Sequence, residues 1–308
     1  MNQAYVDTVR LLIAVAPIVL QSTRLRDEGG TALNLFVHDM PRLSVDIDVA
    51  FVDPLPDRNT ALELIAADLK AARTAIARLG YRVNLPSTAK DQEVKLLIEN
   101  DVAQVKVEVN YVFRDTLLPV QHKSLVQSAQ ELFTANIQVP ILQTVELYGS
   151  KLVAAMDRQH PRDIFDVLQM YSGFGLQPEV VSCFVAYLAG HNRPVHEVLF
   201  SPAKDIEALY HRHFVGMTRD PIGLDALRQT QVKLLRDLPR ALVPEQREFL
   251  LSFVRMEPAW ELMPFQDLRD LQGFDGRSRT CSSCVRRTAA GSNGKRRRLT
   301  NASARFER

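Results

Sequence analysis

The sequence predicts an α+β protein, with a mixed-sheet lobe followed by an all-helical C-terminal lobe. Two strand patterns and one change of pattern carry this. Residues 43–49 (Leu-Ser-Val-Asp-Ile-Asp-Val) and 105–112 (Val-Lys-Val-Glu-Val-Asn-Tyr-Val) alternate polar and apolar side chains, the period of a strand with one face in a core. Beyond about residue 138 that alternation fades and helical spacing replaces it. With 308 residues and 46% hydrophobic content, the chain can bury one large core or two moderate ones.

The first element is the apolar run of residues 11–20, Leu-Leu-Ile-Ala-Val-Ala-Pro-Ile-Val-Leu, which predicts a buried helix that Pro17 kinks or ends. It is too short to span a bilayer and lacks a strongly basic leader, so the expectation is no signal peptide, no membrane span and a cytoplasmic location. Arg24-Leu25-Arg26-Asp27-Glu28 offers a first strand only one apolar residue, and a Gly29-Gly30-Thr31 turn and a helix follow. Residues 60–79 place Leu62, Ile65, Leu69, Ala72, Ile76 and Leu79 at helical spacing, and Gly80 ends that helix. Residues 81–85 and 94–99 read as strands, the second pairing with 103–113 as a hairpin across Asn100-Asp101. Helical patterns then cover 144–158, 162–172, 178–189, 203–214, 223–237 and 244–256, with Gly173, Gly175, Pro178, Pro194, Pro202 and Pro221 at the joints.

The expected organisation is an α/β lobe over residues 1–139, a helical lobe over 140–274 and a basic tail over 275–308. The tail holds ten Lys or Arg against two acids, which leaves the first 274 residues with six more acids than bases although the whole chain carries +2. Its Ser-, Gly-, Thr- and Arg-rich composition predicts disorder. Cys183 stands in an apolar context and reads as a small core residue, while Cys281 and Cys284 form a single C-x-x-C without a second pair. His211 and His213 are two apart, a spacing that cannot form a metal pair on one helix face, and read as surface residues.

The chemistry concentrates in four segments. On a strand, Asp46 and Asp48 project to the same side while Val45, Ile47 and Val49 bury the other, so two hard oxygen ligands stand close enough to share a magnesium ion. Like charges on one face repel unless a cation or proton intervenes. Upstream, Gly29 and Gly30 let the backbone approach a ligand closely, and a helix opening after Thr31 would aim its first N–H groups at phosphate oxygens. A Gly-Gly pair or an Asp-x-Asp by itself is more often an ordinary turn or a solvated strand face; their conjunction points to metal-assisted chemistry on a nucleotide. If the strand of residues 105–112 lies beside that of Asp46 and Asp48, Glu108 can complete a three-carboxylate cluster suited to phosphoryl transfer. In the fourth segment a helix ends near Arg158 and another begins with Pro161 at its first position. Lys151 can stand off the first helix toward a phosphate, while Arg162, Asp163 and Asp166 crowd the entrance of the second. Structural roles are open here too: Asp163 favours the helix dipole in a first turn, and Arg158 can pair with Asp166.

Four motifs, taken in order, resemble the AbiEii/AbiGii toxin family: Gly-Gly-Thr-Ala-Leu-Asn-Leu-Phe (29–36), Arg-Leu-Ser-Val-Asp-Ile-Asp (42–48), Val-Lys-Val-Glu-Val-Asn (105–110) and Asp-Arg-Gln-His-Pro-Arg-Asp-Ile-Phe-Asp (157–166). The likeness runs from about residue 5 to about residue 272. It implies a nucleotidyltransferase fold and a toxin of a type IV toxin–antitoxin or abortive-infection (phage defence) system, with an antitoxin encoded alongside. It further implies a nucleoside triphosphate (NTP) as donor, Mg2+ as cofactor and RNA, notably the acceptor end of tRNA, as acceptor. By motif, Gly29, Gly30 and Thr31 would hold phosphates together with Lys151 and Arg162. Asp46 and Asp48 would hold metal, and Lys151 with Asp163 and Asp166 would complete the catalytic set. Glu108 as a third metal ligand is an inference from strand alternation and the general fold. One departure stands out: relatives carry an apolar strand and then Lys before Gly-Gly, where this chain has Glu28. A carboxylate beside a phosphate turn opens two alternatives, a nucleotide-binding regulatory protein without turnover and an enzyme that nucleotidylates a partner protein.

Overall fold

The computed structural model describes residues 1–53, 57–85, 95–110, 113–255, 257–266 and 268–271. Cys281, Cys284 and the basic tail lie outside the described residues, as do the loop at 86–94 and the far end of the expected 103–113 strand at 111 and 112. The chain opens with α1 (Gln3–Val19), whose Asn2 side chain accepts the Ala4 N–H; Pro17 sits in the last turn, where the helix is already ending. β1 (Leu25–Asp27), a wide six-residue helical turn (Ala32–Val37) and β2 (Asp46–Phe51) follow. Asp57 caps α2 (Arg58–Arg78) by accepting from Asn59 and Thr60, and Gly80, at φ +90°, releases the chain from it.

β3 (Arg82–Asn84), β4 (Lys95–Glu99) and β5 (Gln104–Asn110) complete one half of the sheet. β4 and β5 form the expected hairpin, with the Asn100 side chain accepting from Val102 and Ala103 in the turn. β6 (Gln121–Ser124), α3 (Gln127–Phe133) and β7 (Gln138–Ile141) complete the other half. Among the described residues, seven strands lie in the order β3-β4-β5-β2-β1-β7-β6 and form a mixed sheet, as the fold class requires: β2 runs parallel to β5 and β1 parallel to β7, the other neighbours antiparallel. α1 and α2 cover one face, over buried Ile47, Val49, Leu96, Ile98, Val105 and Val107.

The second half of the chain is helical: α4 (Thr144–Asp157), α5 (Pro161–Gly173), α6 (Pro178–Gly190), α7 (Val195–Leu199), α8 (Glu207–His213), α9 (Leu224–Ala241) and α10 (Pro244–Arg255). α4 and α6 pack most closely, and Cys183 is buried between them as expected. β7 crosses the boundary expected at 139/140, and one continuous apolar cluster runs from α1 through the sheet to α10. The burial of Leu11, Leu12, Ile13 and Val15 bears out the core reading of the first apolar run. Among the described residues, no helix is long and apolar enough to cross a membrane.

Candidate active site

β1 lies inside the sheet, paired with β2 on one edge and β7 on the other, although its sequence is only Leu-Arg-Asp. Its backbone fixes the glycine turn from both sides: Glu28 N–H donates to the Asp48 carbonyl at 3.0 Å, and Leu142 N–H to the Asp27 carbonyl at 3.2 Å. Both glycines are needed for close approach. A Cβ on Gly29 would fall 2.6 Å from Asp48 Oδ2, and one on Gly30 2.5 Å from Arg42 Nη2. The Thr31 hydroxyl donates to the Asp46 carbonyl at 2.6 Å, so its proton is committed to the scaffold and what it offers a ligand is its backbone. The helix expected after Thr31 is present as a short, wide turn, closed by His38 N–H on the Leu33 carbonyl.

Asp46 and Asp48 share a face of β2, and the parallel register sets them opposite Lys106 and Glu108 of β5. Asp46 Oδ2 accepts from Arg162 Nη1 at 3.1 Å, which draws the entrance of α5 onto the acidic strand. Glu108 is beside Asp48 in register but its carboxylate is gripped by Lys95 and Lys106, each at 2.5 Å. Burial pushes the Glu108 carboxyl up, and the two lysines more than offset it. Among the described residues, no three His, Cys, Asp or Glu side chains stand together as a metal site, so the expected trio of Asp46, Asp48 and Glu108 is not assembled in this arrangement.

The acids around the turn are crowded. Burial raises the Asp48 carboxyl, and neighbouring Asp46 adds to the rise against the pull of Lys151. Asp27, fully buried, is pushed to about 7 by burial despite the Gly29 N–H on its Oδ1, and its Oδ2 has no hydrogen-bond partner. Glu28, the departure noted in the sequence, is pushed to about 8 by burial against its hydrogen bond to Asn110, with Asp48 and Glu146 adding to the rise. It is therefore largely uncharged at neutral pH and does not repel a phosphate as an anion would.

A second group of charges lies behind Lys151. Its ammonium Nζ meets Asp163 Oδ1 at 3.1 Å and Asp166 Oδ2 at 3.3 Å. Arg158 holds Asp163 with two hydrogen bonds, from Nε at 2.5 Å and Nη2 at 2.9 Å. The expected Arg158–Asp166 pair is thus replaced by Arg158–Asp163, because Arg42 takes Asp166 through a two-pronged contact at 2.8 and 2.7 Å. Asn34 donates to the Gly30 carbonyl at 2.9 Å and to Asp166 Oδ1 at 3.1 Å, joining the glycine turn to α5. Burial opposes ionisation of both aspartates, and the cations outweigh it, holding both below the ordinary carboxylate range. Arg42, Asn34 and Asp27 were not singled out by the sequence. Their only local signal was position: Arg42 at the head of Arg-Leu-Ser-Val-Asp-Ile-Asp, Asn34 four residues after Gly30 and Asp27 two before Gly29.

The raised acids make a pH prediction. Between the ordinary carboxylate range and about 8, the folded chain holds protons on Asp27, Glu28 and Glu146 that the unfolded chain has released, since Glu146 also sits at about 7. The contribution of these three carboxyls to stability is therefore greatest in mild acid and falls as pH rises through these values. Glu28→Gln should match wild type at pH 4 and exceed it by on the order of 2 kcal/mol at pH 9, read by urea unfolding. Equal pH profiles for the two chains would refute the burial of this carboxyl.

Asp46 and Asp48 fit a divalent cation in donor type: they are hard oxygen donors on one face of β2. A family model described as nucleotidyl transferase AbiEii toxin, type IV TA system, matches residues 16–261. Among solved structures, the chain is similar to MenT4, a nucleotidyltransferase toxin from Mycobacterium tuberculosis H37Rv, at 18% identity and a TM-score of 0.58, covering 84% of this chain and 100% of that one. A likeness to a CdnC:HORMA-deltaN complex of E. coli MS115-1, at 13% identity over 88% of each chain, has a TM-score of 0.22, too low to inform the fold. No curated protein matches the chain in sequence.

Proposed function

From the match over residues 16–261, which shows that this chain belongs to the AbiEii family of nucleotidyltransferase toxins of type IV toxin–antitoxin systems, we propose that it transfers a nucleotide from a magnesium-bound NTP to RNA, with tRNA as the acceptor. The observation that carries this reading is the meeting of three parts from distant segments. The glycine turn, the Asp46/Asp48 face and Lys151 are drawn together by the Arg162–Asp46 and Arg42–Asp166 contacts, with Lys151 near enough to act on the Asp48 carboxyl.

In this reading the turn of Gly29, Gly30 and Thr31 receives the triphosphate through backbone groups. Lys151 and Arg162 face it with positive charge that grows in value as negative charge collects on departing pyrophosphate. Asp46 and Asp48 hold Mg2+, with Glu108 joining them only on leaving Lys95 and Lys106. The cation, when bound, supplies Lewis-acid activation of the acceptor hydroxyl and the leaving group. Asp163 acts one layer back and holds the Lys151 ammonium at 3.1 Å, while Asp166, taken by the Arg42 fork, is only a nearby counter-charge. Protonated Glu28 removes the electrostatic objection to phosphate binding that its sequence position raises. A cognate antitoxin and a cytoplasmic setting belong to the same reading.

The test is transfer of label from α-labelled NTPs, with magnesium, to total RNA by the purified full chain. The expected product is lost on nuclease digestion and survives protease, and Asp46→Ala makes none. Label that survives nuclease and disappears with protease would replace RNA by a protein acceptor. Tight triphosphate binding with no labelled product on any acceptor would replace the enzyme by a nucleotide-binding regulator.

A further inference from the structure

We propose that Arg42 is a positioning residue that takes Asp166 out of the charge balance around Lys151, and so leaves the lysine's positive charge free for the triphosphate. The inference deepens the reading above and rests on it. Lys151 is only 6% exposed and lies against two carboxylates, so with those partners alone its charge would be more than cancelled. Arg158 and Arg42 change the count. Three cations, Lys151, Arg158 and Arg42, face Asp163 and Asp166, an excess of one positive charge.

The two arginines are not equivalent. The Arg158 side chain is 60% exposed and can exchange its partner for water, whereas Arg42 and Asp166 are each 2% exposed and have no such outlet. The Arg42 fork saturates Asp166 with Nε and Nη2, and its Nη1 donates to the Leu43 carbonyl at 3.0 Å. The space for that guanidinium exists because Gly30 has no Cβ, which would lie 2.5 Å from Nη2. The same glycine that lets a phosphate approach the backbone therefore also admits the arginine. Asn34 ties the two, reaching both the Gly30 carbonyl and Asp166.

The experiment is calorimetric titration of magnesium tripolyphosphate, which carries no base, into the full chain and four variants whose folding is checked by thermal unfolding. Arg42→Gln is expected to weaken binding about tenfold or more. Arg42→Gln with Asp166→Asn restores the excess of one positive charge and should return to within about threefold of wild type. Arg42→Lys, keeping charge without the fork, should bind better than Arg42→Gln. Asp166→Asn by itself increases the positive excess and should bind at least as tightly as wild type, a readout that stands even if Arg42→Gln does not fold. A purely packing role predicts the reverse for the double variant, which would then bind no better than Arg42→Gln. That result, binding by Arg42→Gln within about twofold of wild type, or weakened binding by Asp166→Asn would overturn the inference alone. Absence of binding by wild type would instead remove the triphosphate reading on which it rests.

Discussion

Asp48→Ala is expected to lower nucleotide transfer by about a thousandfold while making the chain more resistant to urea at pH 8, by on the order of 1 kcal/mol. The two signs have one cause. Asp48 sits among Asp46, Asp27 and Glu28, its carboxyl is raised by burial and by Asp46, and it in turn raises both Asp27 and Glu28. Such crowding costs stability in the free protein and is relieved when a cation binds or when one acid is removed. Alanine relieves it permanently and takes away a donor proposed for the metal at the same time. A variant that keeps its transfer rate would exclude Asp48 from the chemistry. Loss of transfer with lowered stability would instead mean that Asp48 is a structural residue whose removal damages the turn it touches.

Asp166→Ala is expected to cost about 3–5 kcal/mol of folding stability, the largest loss for any single side chain of the site. It strands the Arg42 guanidinium in a place with no route to water and removes one of the two anions on Lys151. Asp163→Ala should cost clearly less, about 1–2 kcal/mol, because Arg158 can turn outward and Lys151 keeps Asp166. Urea unfolding of the two variants side by side gives the ranking. Replacing both partners of the buried pair by apolar residues, Arg42→Met with Asp166→Leu, should recover most of the loss, since an unpaired buried charge costs more than an absent one. A loss below about 1 kcal/mol for Asp166→Ala, or one smaller than that of Asp163→Ala, would show that the pair does not carry the junction between the sheet and α5.

What local pattern can report, the sequence reported. Strict alternation gave β2 and β5 and put Asp46 and Asp48 on one face, because period two is a property of the strand itself. Pro161 and the break before it placed the start of α5, and with it Arg162, Asp163 and Asp166. Three things escaped because they are settled by distant partners. β1, read from sequence only as a weak first strand, lies inside the sheet with one apolar residue, since pairing on both edges supplies what its composition lacks. β6 and β7 are four residues each, and Pro140 inside β7 argues locally against a strand. Arg158 was expected to reach Asp166, but the partner that wins Asp166 comes from 124 residues away, and helical spacing says nothing about it.

β1 and β7 run side by side, with Asp27 level with Ile141, so the glycine turn and the helix carrying Lys151 leave the sheet from the same height. Main-chain pairing alone thus sets where the turn and that helix begin, whatever side chains they carry. A descendant that shed Asp46 and Asp48 would keep this strand pairing, so shape is inherited more durably here than chemistry. Inactive copies of such a chain should therefore superpose on active ones, and only assays of the lining residues can tell them apart.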